Sequence, residues 1–210
     1  MLSLYIIFGV GILLVLVAII WRLSSLRSSI PCPTWLGWLV ELDNPLFRNN
    51  SAREIIRHLA LEPGMTVLDF GCGPGRLTIP VAKRVGSGGK VTAFDIQAGM
   101  LQRVRSKAAA EKLDNIRFVQ GGAGEGKLGR EQYDRALLVT VLGEIPDRQT
   151  ALAEIFDSLK HGGILSVTEV IADPHFQRRD SVRRVATAAG FVERAFFGNR
   201  VSYTINFEKP

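Results

Sequence analysis

The stretch Val67-Leu68-Asp69-Phe70-Gly71-Cys72-Gly73-Pro74-Gly75-Arg76-Leu77-Thr78 constrains this chain more than any other. A short apolar strand, 66–70, runs into glycines at every second position, and a helix, 77–85, begins at once. Glycines at 71, 73 and 75 let the backbone turn tightly and approach a ligand without interference from a Cβ atom. Pro80 falls in the first turn of that helix, where a missing N–H is tolerated.

The rest of the chain continues the alternation. Ser51 caps a helix reaching His58, with Glu54 three residues later as in a capping box. Strands are expected at 91–95, 116–119, 136–141 and 164–170, with helices at 98–112, 150–159 and 181–189 between or after them. Two last strands, 191–197 and 200–207, are joined at Gly198-Asn199, a hairpin turn signal. The prediction is an α/β fold: a Rossmann-like, doubly wound, mostly parallel seven-stranded sheet with an antiparallel C-terminal hairpin.

A chain of 210 residues leaves room for one sizeable domain. With 22% charged and 47% hydrophobic residues it is not a disordered chain. Two cysteines, Cys32 and Cys72, exclude a disulfide scaffold and a four-thiolate zinc site, and three histidines leave little room for another metal centre. No metal is expected. The net charge of +6 suits an anionic partner, nucleic acid or an acidic membrane surface. No basic run is interleaved with aromatics, so nucleic acid is not expected. Arg179 and Arg183 stand one helical turn apart, either on a solvated face or facing acidic headgroups.

The N-terminus decides between those partners. Residues 2–21 carry no charge, and Arg22 and Arg27 come directly after them. About 20 helical residues span the roughly 30 Å hydrocarbon core. Tyr5 and Trp21 sit where interfacial aromatics belong, and the basic flank puts the C-terminal bulk in the cytoplasm. A cleaved signal peptide would need a basic start and a shorter apolar run. The expected division is a transmembrane anchor (1–22), a juxtamembrane linker (23–49) with Trp35 and Trp38, and a catalytic domain (50–210).

The glycine loop reads D-x-G-x-G-x-G. A dinucleotide-binding loop would need a glycine where Arg76 stands. The loop instead resembles motif I of class I S-adenosylmethionine-dependent methyltransferases, closest to the ubiquinone/menaquinone-biosynthesis type. The resemblance covers residues 50–172. Asp95, ending the second strand, is similar to the family's ribose-binding acid. The stretch from Ile96 to Met100 looks like the family's segment after that acid, Met100 packing either on the adenine or in the core. Residues 139–147 resemble motif IV, and Leu159-Lys160-His161-Gly162-Gly163-Ile164-Leu165 the turn before the fifth strand.

This resemblance implies S-adenosylmethionine as cofactor, held by Asp69, Gly71, Cys72, Gly73, Gly75, Asp95, Ile96, Met100, Gly122 and Ala123. It also exposes a departure. Gly122 stands where the family usually has an acid for the adenine amino group, leaving the Ala123 N–H, Glu125 or Gln120 to recognise the base. The acceptor belongs at the carboxyl ends of strands four and five. Glu144, Glu169, Asp173 and His175 fall there as candidate catalytic groups. Glu144 has the alternative of capping the Pro146 turn, and His175 that of a surface histidine. With an anchor, the implied activity is methylation of a lipophilic small molecule, a phospholipid or a quinone precursor. The alternatives are a soluble metabolite as acceptor and a catalytically weak cofactor-binding scaffold. The oligomeric state is not legible.

Overall fold

A 3-10 turn, Arg48–Asn50, leads into helix α1, Ala52–His58, in the computed structural model, which describes residues 47–210 together with Tyr5, Gly9, Leu16 and Glu41. The expected anchor and most of the linker therefore lie outside the described residues. Tyr5, Gly9 and Leu16 are helical, and Tyr5 and Leu16 are exposed. Among the described residues, no helix is long and apolar enough to cross a membrane.

The Ser51 cap forms as expected, its hydroxyl accepting the Glu54 N–H at 3.4 Å. From there the chain runs β1 (Thr66–Phe70), α2 (Thr78–Val85), β2 (Lys90–Asp95), α3 (Ala98–Ala110), β3 (Ile116–Gln120), β4 (Tyr133–Val139), α4 (Arg148–Ser158), β5 (Leu159–Val170), α5 (Arg179–Ala188), β6 (Val192–Gly198) and β7 (Ser202–Glu208). The seven strands form one sheet in the order β3-β2-β1-β4-β5-β7-β6. β1 to β5 pair in parallel, and β7 enters antiparallel between β5 and β6.

The period-two pattern sorts side chains onto two faces. Leu68, Phe70, Leu138, Leu165 and Val167 join one core with Ile155 of α4 and Val182 of α5. Val67, Val91 and Leu137 face the other way, onto Ile55 of α1 and Val81 of α2. Helix α3 is amphipathic for the same reason. Its buried residues Met100, Leu101, Val104 and Ala108 share one side, at helical spacing.

Several boundaries differ from expectation. β4 ends at Val139, not at 141. Thr140 still donates its N–H to the Thr168 carbonyl at 2.9 Å, then turns to φ +55, and Leu142–Glu144 forms a 3-10 turn. A β-branched residue in the left-handed region is rare and strained. The Lys160-His161-Gly162-Gly163 stretch is not a free turn but part of β5. Gly162 donates to the Lys209 carbonyl, Lys209 donates to Gly163, and a register shift between Tyr133 and Arg135 absorbs the irregularity. At the C-terminal hairpin the connection is residues 199–201, with the Asn199 side-chain oxygen accepting the N–H groups of Val201 and Ser202.

Candidate active site

The cofactor loop is held by three supports. Gly71 and Cys72 both donate their N–H to the Phe94 carbonyl, at 2.8 and 3.0 Å. Gly73 donates to the Asp95 carboxylate at 2.9 Å. The Thr78 hydroxyl, at the start of α2, donates to the Asp69 carboxylate at 2.6 Å. Gly71, Gly73 and Gly75 all have positive φ, at +73, +49 and +91. The reasons differ. A Cβ at Gly71 would lie 2.5 Å from Val141, so that glycine admits motif IV to the loop. A Cβ at Gly73 would meet nothing within 4 Å. Gly73 thus borders open space at the carboxyl end of β1, a cradle that a larger residue would fill.

Asp69 and Cys72 support the loop from behind rather than lining it. Asp69 is 4% exposed, and burial raises its pKa to about 6, partly offset by the Thr78 hydroxyl. The Cys72 side chain packs with Ala93, Leu101 and Val104, and burial pushes its thiol far up, so that only its backbone lines the loop. Asp95 faces the cradle. Its two oxygens accept the Gly73 and Gln97 N–H groups, and burial still raises its pKa against those bonds. The carboxylate keeps lone-pair capacity for a further donor. Ile96 is exposed, whereas Met100 is 2% exposed and belongs to the core.

The departure at Gly122 has a structural counterpart. Glu125 curls back so that its carboxylate oxygen lies 2.8 Å from where a Gly122 Cβ would be. Its acidity is increased first by Lys127, 2.7 Å away, and also by the Gly122 N–H. A carboxylate from position 125 thus lies against Gly122. The Gln120 amide nitrogen donates to the Ile96 carbonyl at 3.2 Å, which leaves the amide oxygen as an acceptor. Ala123 stands partly buried beside it.

The acceptor end gathers residues from the two sides of α4 and β5. The His175 Nδ1 lies 3.8 Å from a Glu144 oxygen and 3.9 Å from an Asp173 oxygen. His175 is 5% exposed, which corrects the surface-histidine alternative. The correction has a specific cause. A Cβ at Gly143 would overlap the His175 carbonyl, so motif IV presses directly on the β5–α5 loop that carries the histidine. Arg148 donates to the Leu142 and Gly143 carbonyls and fixes that turn.

Glu169 lies beneath this group, 1% exposed. One oxygen accepts the Gln177 N–H at 3.0 Å, and the other has no hydrogen-bond partner among the described residues. Burial raises its pKa to about 8, and Asp173 and Glu144 push the same way. The folded protein therefore holds a proton that the unfolded chain releases above about pH 4.5, and stability falls as pH rises toward 8. Glu169→Gln should remove that loss. Thermal unfolding at pH 8 is expected to rise by roughly 10 °C over wild type, and by much less at pH 5. Equal shifts at both pH values would sink the assignment.

Several residues of the site owe their roles to contacts that their place in a motif did not show. Thr78, Val141, Gly143 and Arg148 act through positions that only the fold brings together. Of the basic pairs, Arg183 is committed to a fork with Glu193, and Arg179 lies 5.2 Å over the Phe196 ring. They are thereby drawn onto β6.

Comparison with known proteins agrees with this geometry. Residues 61–195 match the family described as "Methyltransferase domain". A demethylmenaquinone methyltransferase from Staphylococcus aureus (strain MRSA252) is 32% identical over 117 residues, 56% of this chain and 48% of that protein. Aklanonic acid methyltransferase DauC from Streptomyces sp. (strain C5) is 34% identical over 108 residues, 51% of this chain and 49% of that protein. The chain thus spans about half the length of these relatives. The crystal structure of an S-adenosylmethionine-dependent methyltransferase from Aquifex aeolicus has the same fold, with a TM-score of 0.76 at 19% identity over 86% of this chain and 100% of that one. With a match that takes in the glycine loop, Asp95 and motif IV, this chain belongs to the methyltransferase-domain family.

Proposed function

We propose that this chain is a membrane-anchored methyltransferase whose acceptor is a lipophilic small molecule with an acidic hydroxyl, a quinone precursor rather than a phospholipid. The observation that carries the reading is the path of residues 141–144. Val141 lies against Gly71 of the cofactor loop, and Gly143 lies against His175. One short segment therefore joins the cradle to a buried histidine flanked by two carboxylates.

When bound, S-adenosylmethionine supplies a methyl group already activated on a sulfonium. The residues of this chain have the task of binding, orienting and managing one proton. The Asp95 carboxylate would accept the ribose hydroxyls, and the backbone of 71–75 would hold the amino-acid tail. Ile96, the Ala123 N–H and Glu125 would meet the base. His175 would take the acceptor's hydroxyl proton, and Glu144 and Asp173 would stabilise the imidazolium so formed. Glu169 holds the loop in place through the Gln177 N–H. Low exposure keeps competing water from the histidine.

The lipophilic acceptor is supported by the charge-free run at 2–21 and by the name of the Staphylococcus aureus relative. In this reading 1–22 anchors the chain, 23–49 links, and 50–210 works at the cytoplasmic face. A tether gives nothing obvious to an enzyme of soluble metabolites. For a lipid acceptor it raises the effective concentration, because both share one thin layer.

The test uses the full chain in nanodiscs with radiolabelled methyl donor. Three acceptors are offered: a prenylated demethylated naphthoquinol, phosphatidylethanolamine, and a tail-less water-soluble naphthoquinol. Label is expected in the prenylated quinol above all. Label only in the soluble analogue would overturn the lipophilic acceptor, and label in phosphatidylethanolamine would overturn the hydroxyl. Intact mass of the membrane-extracted protein should include residues 1–22.

A further inference from the structure

Helix α3 grips the back of the cofactor loop. A Cβ at Gly75 would lie 3.2 Å from Val104, and Cys72 packs with Leu101 and Val104. One turn beyond Val104, the Lys107 ammonium donates to the Pro74 carbonyl at 2.8 Å. Pro74 separates Gly73, whose N–H is bonded to Asp95, from Gly75. The Gly75 N–H of the same peptide plane donates to the Cys72 carbonyl at 3.0 Å, so Lys107 adds a second hold, from the helix side, on the plane between two glycines.

The same ammonium lies 2.7 Å from a carboxylate oxygen of Glu41, and both side chains are about one-third exposed. Glu41 is not part of the sheet domain. It comes after the Trp35–Trp38 stretch and stands 20 positions after Trp21. Together with Ile79, Pro80 and Ala110, the pair lines a cavity of about 390 Å³ behind the loop. A lysine this exposed has solvent as a competing partner. With Glu41 in place its ammonium is held over Pro74. Without Glu41 the long side chain gains rotamers that carry it away.

We propose that Lys107 is a positioning residue for the cofactor loop and that Glu41, outside the sheet domain, couples to the loop through it, so that cofactor affinity depends on the Glu41–Lys107 pair. The inference rests on reading 71–75 as the cofactor loop.

The experiment is calorimetric titration of S-adenosylhomocysteine into the full chain in nanodiscs. The variants are Glu41→Gln, Lys107→Met, the double variant, and Glu111→Gln. Glu111 lines the same cavity but pairs with Lys83 at 3.0 Å, so it serves as a control. Glu41→Gln and Lys107→Met should each raise the dissociation constant about three- to tenfold. The double variant should match Lys107→Met alone, because Glu41 acts through that lysine. KM for the donor should rise with kcat unchanged, and Glu111→Gln should match wild type. Fully additive effects, or unchanged affinity in both single variants, would overturn the coupling while leaving the cofactor loop intact. Failure of wild type to bind would overturn the cofactor-loop reading and the coupling with it.

Discussion

Asp95→Ala is expected to raise the dissociation constant for S-adenosylhomocysteine roughly ten- to a hundredfold. A hydrogen bond to a charged group contributes about 1.5–3 kcal/mol, and every 1.4 kcal/mol is about tenfold. Two effects combine in this variant. It removes the acceptor for the ribose hydroxyls, and it releases the Gly73 and Gln97 N–H groups that the carboxylate ties at 2.9 and 2.8 Å. Asp95→Asn separates them, since an amide keeps one oxygen near those N–H groups but loses the charge. The fold should survive both changes. Burial raises the pKa of Asp95, so its charge opposes folding rather than supporting it. A folded Asp95→Ala protein with wild-type affinity would end the assignment of Asp95 to the cofactor.

His175→Gln should lower kcat about a hundredfold or more, the usual contribution of a positioned general base. Affinity for S-adenosylhomocysteine should stay within about twofold, because the ring lies across residues 141–144 from the glycine loop. The acid limb of the rate profile should vanish with it, since the imidazole must be neutral to take a proton. Among the described residues, Glu144 and Asp173 face it, with Glu169 and Arg148 next to them. Asp173→Asn is a milder companion, because Glu144 remains near the same nitrogen. Rates on hydroquinones of graded acidity give a further check, the loss being largest for the least acidic. If His175→Gln keeps a wild-type kcat and an unchanged pH profile, the histidine has only a packing role.

Fold and cofactor end were largely legible because they rest on local rules. Strand, glycine turn and helix occur in adjacent residues, and the seven strands arise from short apolar runs separated by turn signals. Asp95 was legible because a strand end fixes where its side chain must point. Even there, sequence could not separate a residue that lines the cradle from one that supports it. Asp69 and Cys72 differ from Gly73 only in which way the loop turns them, and that depends on Thr78 and on α3.

The acceptor end was legible only as a set of separate candidates. Glu144, Glu169, Asp173 and His175 are each ordinary residues near strand ends, and nothing in their spacing says that two carboxylates flank one imidazole. That arrangement exists because Thr140 turns out of β4 and Gly143 has no side chain to keep His175 away. Lys107 is a further case, one basic residue on an amphipathic helix, indistinguishable in sequence from its neighbours Arg103 and Arg105. Sequence alone determined the periodicity, the turns and the charge-free N-terminal run, because these depend on residues a few positions apart. Tertiary structure decided burial, the proton held by Glu169 and the partners of His175 and Lys107, because those depend on groups that meet only after the sheet has closed.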